Sequence, residues 1–201
     1  MSRPSSSVAF GDPGMERAMY GMIHQAARDL AISRLGKVEW TRLMAENGMT
    51  DRHFIGVEYY PDAETMRLVH LIAERLGCGL DETLVLFGRC WVDFAGASSF
   101  GRVLHMAGGG LESFIANLDR MHALIKSSMP RASLPGFEVV RSDAEAILVR
   151  YRSERTGLAP FVQGILAAVA ERFGERVEVS YAEAPGGALF RLDRRAATAA
   201  A

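Results

Sequence analysis

Tyr151-Arg152-Ser153-Glu154-Arg155 places a phenol, a hydroxyl and two guanidinium groups within five residues. Directly upstream lies the run Glu145-Ala146-Ile147-Leu148-Val149-Arg150, which reads as a strand, so the stretch sits at a strand end. Extended backbone sends successive side chains to opposite faces. Tyr151, Ser153 and Arg155 therefore share one side, and Arg152 and Glu154 share the other. The plain reading is a strand end with its charges in solvent. The alternation argues for more: one side presents two hydroxyls and a guanidinium fork together. That set donates hydrogen bonds and carries one positive charge, which suits a carboxylate or a phosphate.

The rest of the chain narrows the field. It has 201 residues, 49% of them hydrophobic, enough for one compact domain with room for two lobes. The net charge is −1 and arginines are scattered rather than striped, which excludes a bulk electrostatic nucleic-acid partner. The apolar runs are too short to span a bilayer, and the start of the chain has no apolar region of the secretory kind. Cys78 and Cys90 fit neither a zinc pattern nor a CxxCH haem attachment and read as reduced thiols of a cytoplasmic protein.

Residues 1–18 are rich in Ser, Pro and Gly and are expected to be disordered. From Met19 the spacing of Met22, Ile23, Ala26, Ala27, Leu30 and Ala31 predicts a helix. Further helices are expected over 39–46, 62–76 and, from an Asp81 N-cap, through the stripe Leu84, Phe87, Trp91, Phe94. The segment 96–110 holds five glycines and reads as a loop without a phosphate-cradling pattern. One helix then carries Leu111, Phe114, Ile115, Leu118, Met121, His122 and Ile125 on a single face, closed by Pro130 and Pro135. Strands over 137–141 and 145–152, a helix over 158–173 and a hairpin across Pro185-Gly186-Gly187 follow. The domain should run from 19 to 193, with 194–201 a frayed tail. Helices first, then antiparallel strands around one long helix, make the fold class α+β.

Among the histidines, His122 sits on an apolar helix face, where a packed core histidine is more frequent than a ligand. His105 lies in the glycine-rich segment. His24, His53 and His70 have no partners at metal-ligand spacing and read as surface residues.

Taken with its flanks, Tyr151-x-Ser153-x-Arg155 resembles the haem-propionate motif of the H-NOX (haem nitric oxide/oxygen binding) family, which includes the haem domain of soluble guanylate cyclase. Asn117-Leu118-Asp119-Arg120-Met121-His122 resembles the family's proximal-histidine helix. Pro135 stands where the family places a proline against the haem face, and Ser153 to Leu158 resembles the cyclase version of the motif. The resemblance runs from Met19-Tyr20-Gly21 to about Asp193. It implies a helical N-terminal lobe, a C-terminal lobe with a four-stranded antiparallel sheet and helices, and a non-covalent haem b between them. It also implies His122 as the axial iron ligand, and propionates held by Tyr151, Ser153 and Arg155.

By the same resemblance the distal wall is Ile23, Ala27, Phe161 and Ile165, all apolar. Oxygen-binding members carry a tyrosine hydroxyl where Phe161 stands, so a sensor of nitric oxide (and CO) that excludes oxygen is expected. A different rotation of the first helix would instead bring His24 or Gln25 in as a donor. Nitric oxide is then expected to weaken the bond to His122 and release its helix. No cyclase or kinase segment is visible, so the signal would pass to a separate protein such as a histidine kinase or a cyclic-di-GMP enzyme. An oxygen-binding or haem-redox protein, a haem enzyme such as a nitrite reductase, and a haemless interaction module are the rival readings. No catalytic residue is expected.

Overall fold

A computed structural model describes residues 18–49, 54–98, 108–130 and 132–195. The expected disorder of 1–18 falls outside these residues except at Ala18, and that of 194–201 except at Arg194 and Arg195. Strand β1 (Ala18–Tyr20) pairs antiparallel with β2 (Tyr59–Pro61). Helices α1 (Gly21–Leu35), α2 (Lys37–Glu46), α3 (Asp62–Leu76) and α4 (Leu80–Ala97) build the N-terminal part. Then come α5 (Leu111–Ala116), α6 (Leu118–Ser128), β3 (Gly136–Ser142), β4 (Ala146–Arg152), α7 (Ala159–Arg172), β5 (Val177–Ala184) and β6 (Gly187–Arg194). The four-stranded sheet is antiparallel in the order β3-β4-β6-β5. The class is α+β, as expected.

Most boundaries move by a residue or two, and four of the differences from the sequence reading have a direct physical reason. The first helix starts at Gly21 rather than Met19, because Gly21 N–H donates to Glu58 O at 2.8 Å and Met22 N–H to Gly56 O at 3.2 Å. A side chain at Gly21 would meet Ile55 O at 2.2 Å, so only glycine lets the chain turn there. The fourth helix is capped at Gly79, with Asp81 inside its first turn, and it continues through Gly96 to Ala97. The helix expected over 111–125 is divided at Asn117, whose side-chain amide returns to Ser113 O at 2.9 Å and competes with the ladder.

Two cores result. One gathers α1 to α4 around Trp40, Leu43, Leu68, Ile72 and Leu84; the other gathers the sheet, α5, α6 and α7 around Leu111, Ile115, Ile147, Leu166 and Phe190. Helix α4 joins them, giving Leu84 and Phe87 to the first and Val92 to the second. It meets α7 backbone to backbone: a side chain at Gly88 would lie 2.0 Å from Phe161 O, and one at Gly164 2.1 Å from Val85 O. Eight residues further along both helices Arg172 lies over Gly96, so the two run parallel. This close crossing fixes the seam on which the site is built.

Candidate functional site

A cavity of about 420 Å³ lies on that seam. From α6 and the segment after it come Leu118, Met121, His122, Ile125 and Pro135; from α4 come Phe87 and Trp91. Ile23 of α1 and Phe161 and Ile165 of α7 add further apolar lining, and Tyr151, Ser153 and Arg155 line it too. Eight of the nine residues picked from sequence therefore line one space. Ala27 does not: it is 1% exposed and packs within the N-terminal helical core.

His122 is held in one tautomer. Its Nδ1 lies 2.8 Å from Pro135 O, and a carbonyl only accepts, so Nδ1 carries the proton and Nε2 keeps its lone pair. Burial pushes its pKa down, against opposing effects of the Pro135 carbonyl and Asp119, and a neutral imidazole is the form that binds metal. Asp119 Oδ1 accepts Phe137 N–H at 2.7 Å, tying the first turn of α6 to β3 and fixing the helix that carries the ring.

The two faces expected of the motif hold for Tyr151 and Arg152; β4 ends there, the chain bends, and Glu154 and Arg155 both meet Ser133. Tyr151 is buried between Phe137 and Phe190, and burial raises the pKa of its phenol, which stays protonated and able to donate. Ser153 Oγ accepts Arg155 N–H at 3.0 Å. On the other face Arg152 pairs in solvent with Glu138 at 3.0 Å. Sequence reasoning missed the partners of Arg155. Its Nε and Nη2 donate to the Asp62 carboxylate at 2.7 and 3.2 Å, and Nη1 donates to Ser133 O at 2.8 Å. Asp62 opens α3, so this guanidinium, which lines the cavity, ties the N-terminal helices to the segment after β4.

The alternative donors in α1 are used elsewhere. Gln25 Nε2 donates to Phe54 O at 2.5 Å. His24, expected at the surface, is fully buried, packed against Phe54 and Tyr60, with Nε2 3.2 Å from Thr65 Oγ1. His70 is exposed, as expected, while His53 and His105 lie outside the described residues. Burial pushes the pKa of His24 down to about 4. The unfolded chain, with histidine near its ordinary 6.5, then binds the extra proton. Stability is full above pH ~6.5 and falls toward pH ~4, by about 1.4 kcal/mol per unit for one group. Urea midpoints at pH 7.5 and 5 should show this slope, and His24→Asn should reduce it to what His122, shifted in the same direction, contributes. An unchanged slope in the variant would refute the assignment.

Trp91 was also missed as a wall residue. It is the one indole among the described lining residues, which also include the Phe87–Phe161 pair (ring centroids 4.9 Å apart). Its place on the stripe of α4 was visible in sequence, but the closeness of α4 to α7 was not.

A planar apolar group with two carboxylates, coordinated from one side by a neutral imidazole, fits this lining. Residues 20–181 match the family model described as Haem-NO-binding. The chain belongs to the H-NOX family. Such domains bind haem and sense gases rather than catalyse, and they are related to soluble guanylate cyclases. The chain is 30% identical over 162 residues to soluble guanylate cyclase gcy-35 of Caenorhabditis elegans, covering 77% of this chain and 23% of that protein. It is 37% identical over 94 residues to guanylate cyclase soluble subunit beta-2 of Rattus norvegicus, covering 47% of this chain and 14% of that one. It thus spans about a quarter or less of these relatives.

The fold matches an H-NOX protein from S. oneidensis in the Fe(II)NO state, with TM-score 0.77, 19% identity and coverage of 88% and 99% of the two chains. It also matches an oxygen-binding H-NOX domain in its oxygen complex, with TM-score 0.71, 20% identity and coverage of 88% and 94%. Those two proteins share the fold although one is in an NO state and the other in an oxygen complex. No described helix is long and apolar enough to cross a membrane, and Cys78 and Cys90 are free thiols.

Proposed function

We propose that this H-NOX protein is a nitric oxide sensor that holds haem b through His122 and discriminates against oxygen. The observation that carries this reading is the His122 side chain: Nδ1–H is committed to Pro135 O, which turns the Nε2 lone pair to an apolar cavity. Tyr151, Ser153 and Arg155 would meet the propionates, and Pro135 would pack against the macrocycle. When bound, the haem would supply a ferrous iron able to take a gas molecule, with His122 as its protein ligand.

His122 sits on the same two turns as Leu124, which is 59% exposed. A change in the pull on the imidazole therefore moves a helix whose outer face meets solvent, a two-state element of the kind a ligand can bias. A separate histidine kinase or cyclic-di-GMP enzyme reading that face is the partner this arrangement suits. Apart from His122, the described residues lining the cavity include no histidine and no carboxylate, which disfavours a haem enzyme that needs such an acid or base.

Discrimination follows from donors. Bound oxygen gains from a hydrogen bond and nitric oxide gains little. Phe161 has no hydroxyl, and Gln25 and His24 are engaged elsewhere. Trp91 supports a second reading, in which its indole N–H serves bound oxygen. Spectra of the ferrous proteins in air separate the two. The unmodified protein and Trp91→Phe should give no stable oxy complex. Phe161→Tyr should raise oxygen affinity about tenfold, since a neutral hydrogen bond contributes roughly 0.5–1.5 kcal/mol and more in a dry pocket. A stable oxy spectrum in the unmodified protein, lost in Trp91→Phe, would replace the nitric oxide reading with the oxygen one.

A further inference from the structure

Seven methionines fall among the described residues, and five of them line the one cavity: Met19, Met22, Met66, Met121 and Met129. The other two, Met44 and Met49, belong to the N-terminal core. Three of the five come from the N-terminal lobe, on β1, α1 and α3, and are half-buried; Met121 and Met129 come from the other side and are buried. Thioethers are flexible and polarisable, which suits a wall that must close on a large flat group and still shift. They are also the side chains most readily oxidised after thiols.

Of the two thiols, Cys90 offers little competition. Cys90 is half-buried, its Sγ lies 3.6 Å from Ala26 O, and burial pushes its pKa up to about 11, so almost none is thiolate near neutral pH.

We propose that Met19, Met22 and Met66 form a peroxide-sensitive site whose oxidation releases the haem; the proposal rests on the haem reading above. The thioether sulfur attacks the terminal oxygen of hydrogen peroxide. The O–O bond breaks, the sulfur is oxidised by two electrons to the sulfoxide, and the departing hydroxide takes the remaining proton to leave as water. Each sulfoxide sets a strong acceptor in a mostly apolar wall, where the phenol beside Met19, Tyr20, is engaged with the Tyr59 hydroxyl. Thr65, the neighbouring hydroxyl, is already engaged with His24 Nε2 at 3.2 Å. A polar group buried without a partner disfavours the closed pocket. Because the three residues lie on the lobe opposite His122, their oxidation loosens the grip without touching the iron ligand.

The test treats the haem-loaded protein with hydrogen peroxide, removes the oxidant, maps added oxygen by peptide mass spectrometry and times haem transfer to apomyoglobin. Met19, Met22 and Met66 should gain oxygen before Met44, and transfer should accelerate about tenfold or more. Methionine sulfoxide reductases should restore the original rate. The triple variant M19L/M22L/M66L, volume-conserving and therefore expected to fold, should show no acceleration, while direct bleaching of haem stays equal in both. Oxidation of Met44 first, an unchanged transfer rate in the oxidised protein, or equal acceleration in the leucine variant would each overturn the proposal. A missing Soret band before treatment would instead overturn the haem reading itself.

Discussion

His122→Gly should deprive the ferrous protein of its axial nitrogen, so that it is isolated with little haem, and added imidazole should restore both haem content and the five-coordinate spectrum. The ring leaves behind a space bounded by Pro135 O, which accepts its Nδ1–H at 2.8 Å, and by Phe137, 5.9 Å away between ring centroids. Free imidazole offers the same donor and the same lone pair, so it can occupy that space in the same tautomer. His105→Gly, outside the described residues, should keep haem and need no rescue. The readout is haem per protein with and without imidazole. Loss of the iron ligand in the His105 variant would show that the register of the proximal helix is wrong.

The second large effect is expected at Arg155. Its guanidinium donates to both oxygens of Asp62 and to Ser133 O, with side-chain exposure of 13% and 21% for the ion pair. Truncation to alanine removes the charge that would face the propionates and also frees the start of α3 from the end of β4. A hydrogen bond to a charged group contributes roughly 1.5–3 kcal/mol, so haem transfer to apomyoglobin should accelerate about ten- to a hundredfold. Arg152→Ala is the control. Its pair with Glu138 lies in solvent, with exposures of 53% and 46%, where such a pair is worth about 0–1 kcal/mol. Equal haem loss in the two variants would remove the basis for assigning different roles to Arg155 and Arg152.

These two residues also mark how far sequence alone could go. The stripe through Leu118 and Met121 was legible because α6 buries one face, and periodicity reports one-sided burial directly; α7 was legible as a long, mostly apolar run, being covered on all sides as far as Ala170. The alternation at Tyr151 and Arg152 was legible because β4 has exposed and buried sides, but the strand ends before Ser153 and the bend that places Arg155 had no such signal.

The strand pair β1–β2 was not, since three residues are too few to alternate. His24 escaped because α1 is covered on several sides by small residues, Ala26, Ala27 and Ala31 being almost fully buried, so no polar face tells where a histidine points. The same misplacement put Ala27 on the cavity wall when it belongs to the core. Asp62 lies 93 residues from Arg155, and no local pattern announces such a pairing. Trp91 depended on the backbone approach at Gly88 and Gly164, which arises from the absence of two side chains rather than from any motif.

The central claim is that the seam between the lobes holds haem through His122. It is tested most directly by the absorption spectrum of the protein purified after expression with haem supplied, read together with its iron and protoporphyrin content. The account predicts a strong Soret band, one iron and one protoporphyrin per chain, and loss of that band in His122→Gly until imidazole is added. A folded protein with no Soret band, or a band unchanged in His122→Gly, would contradict it.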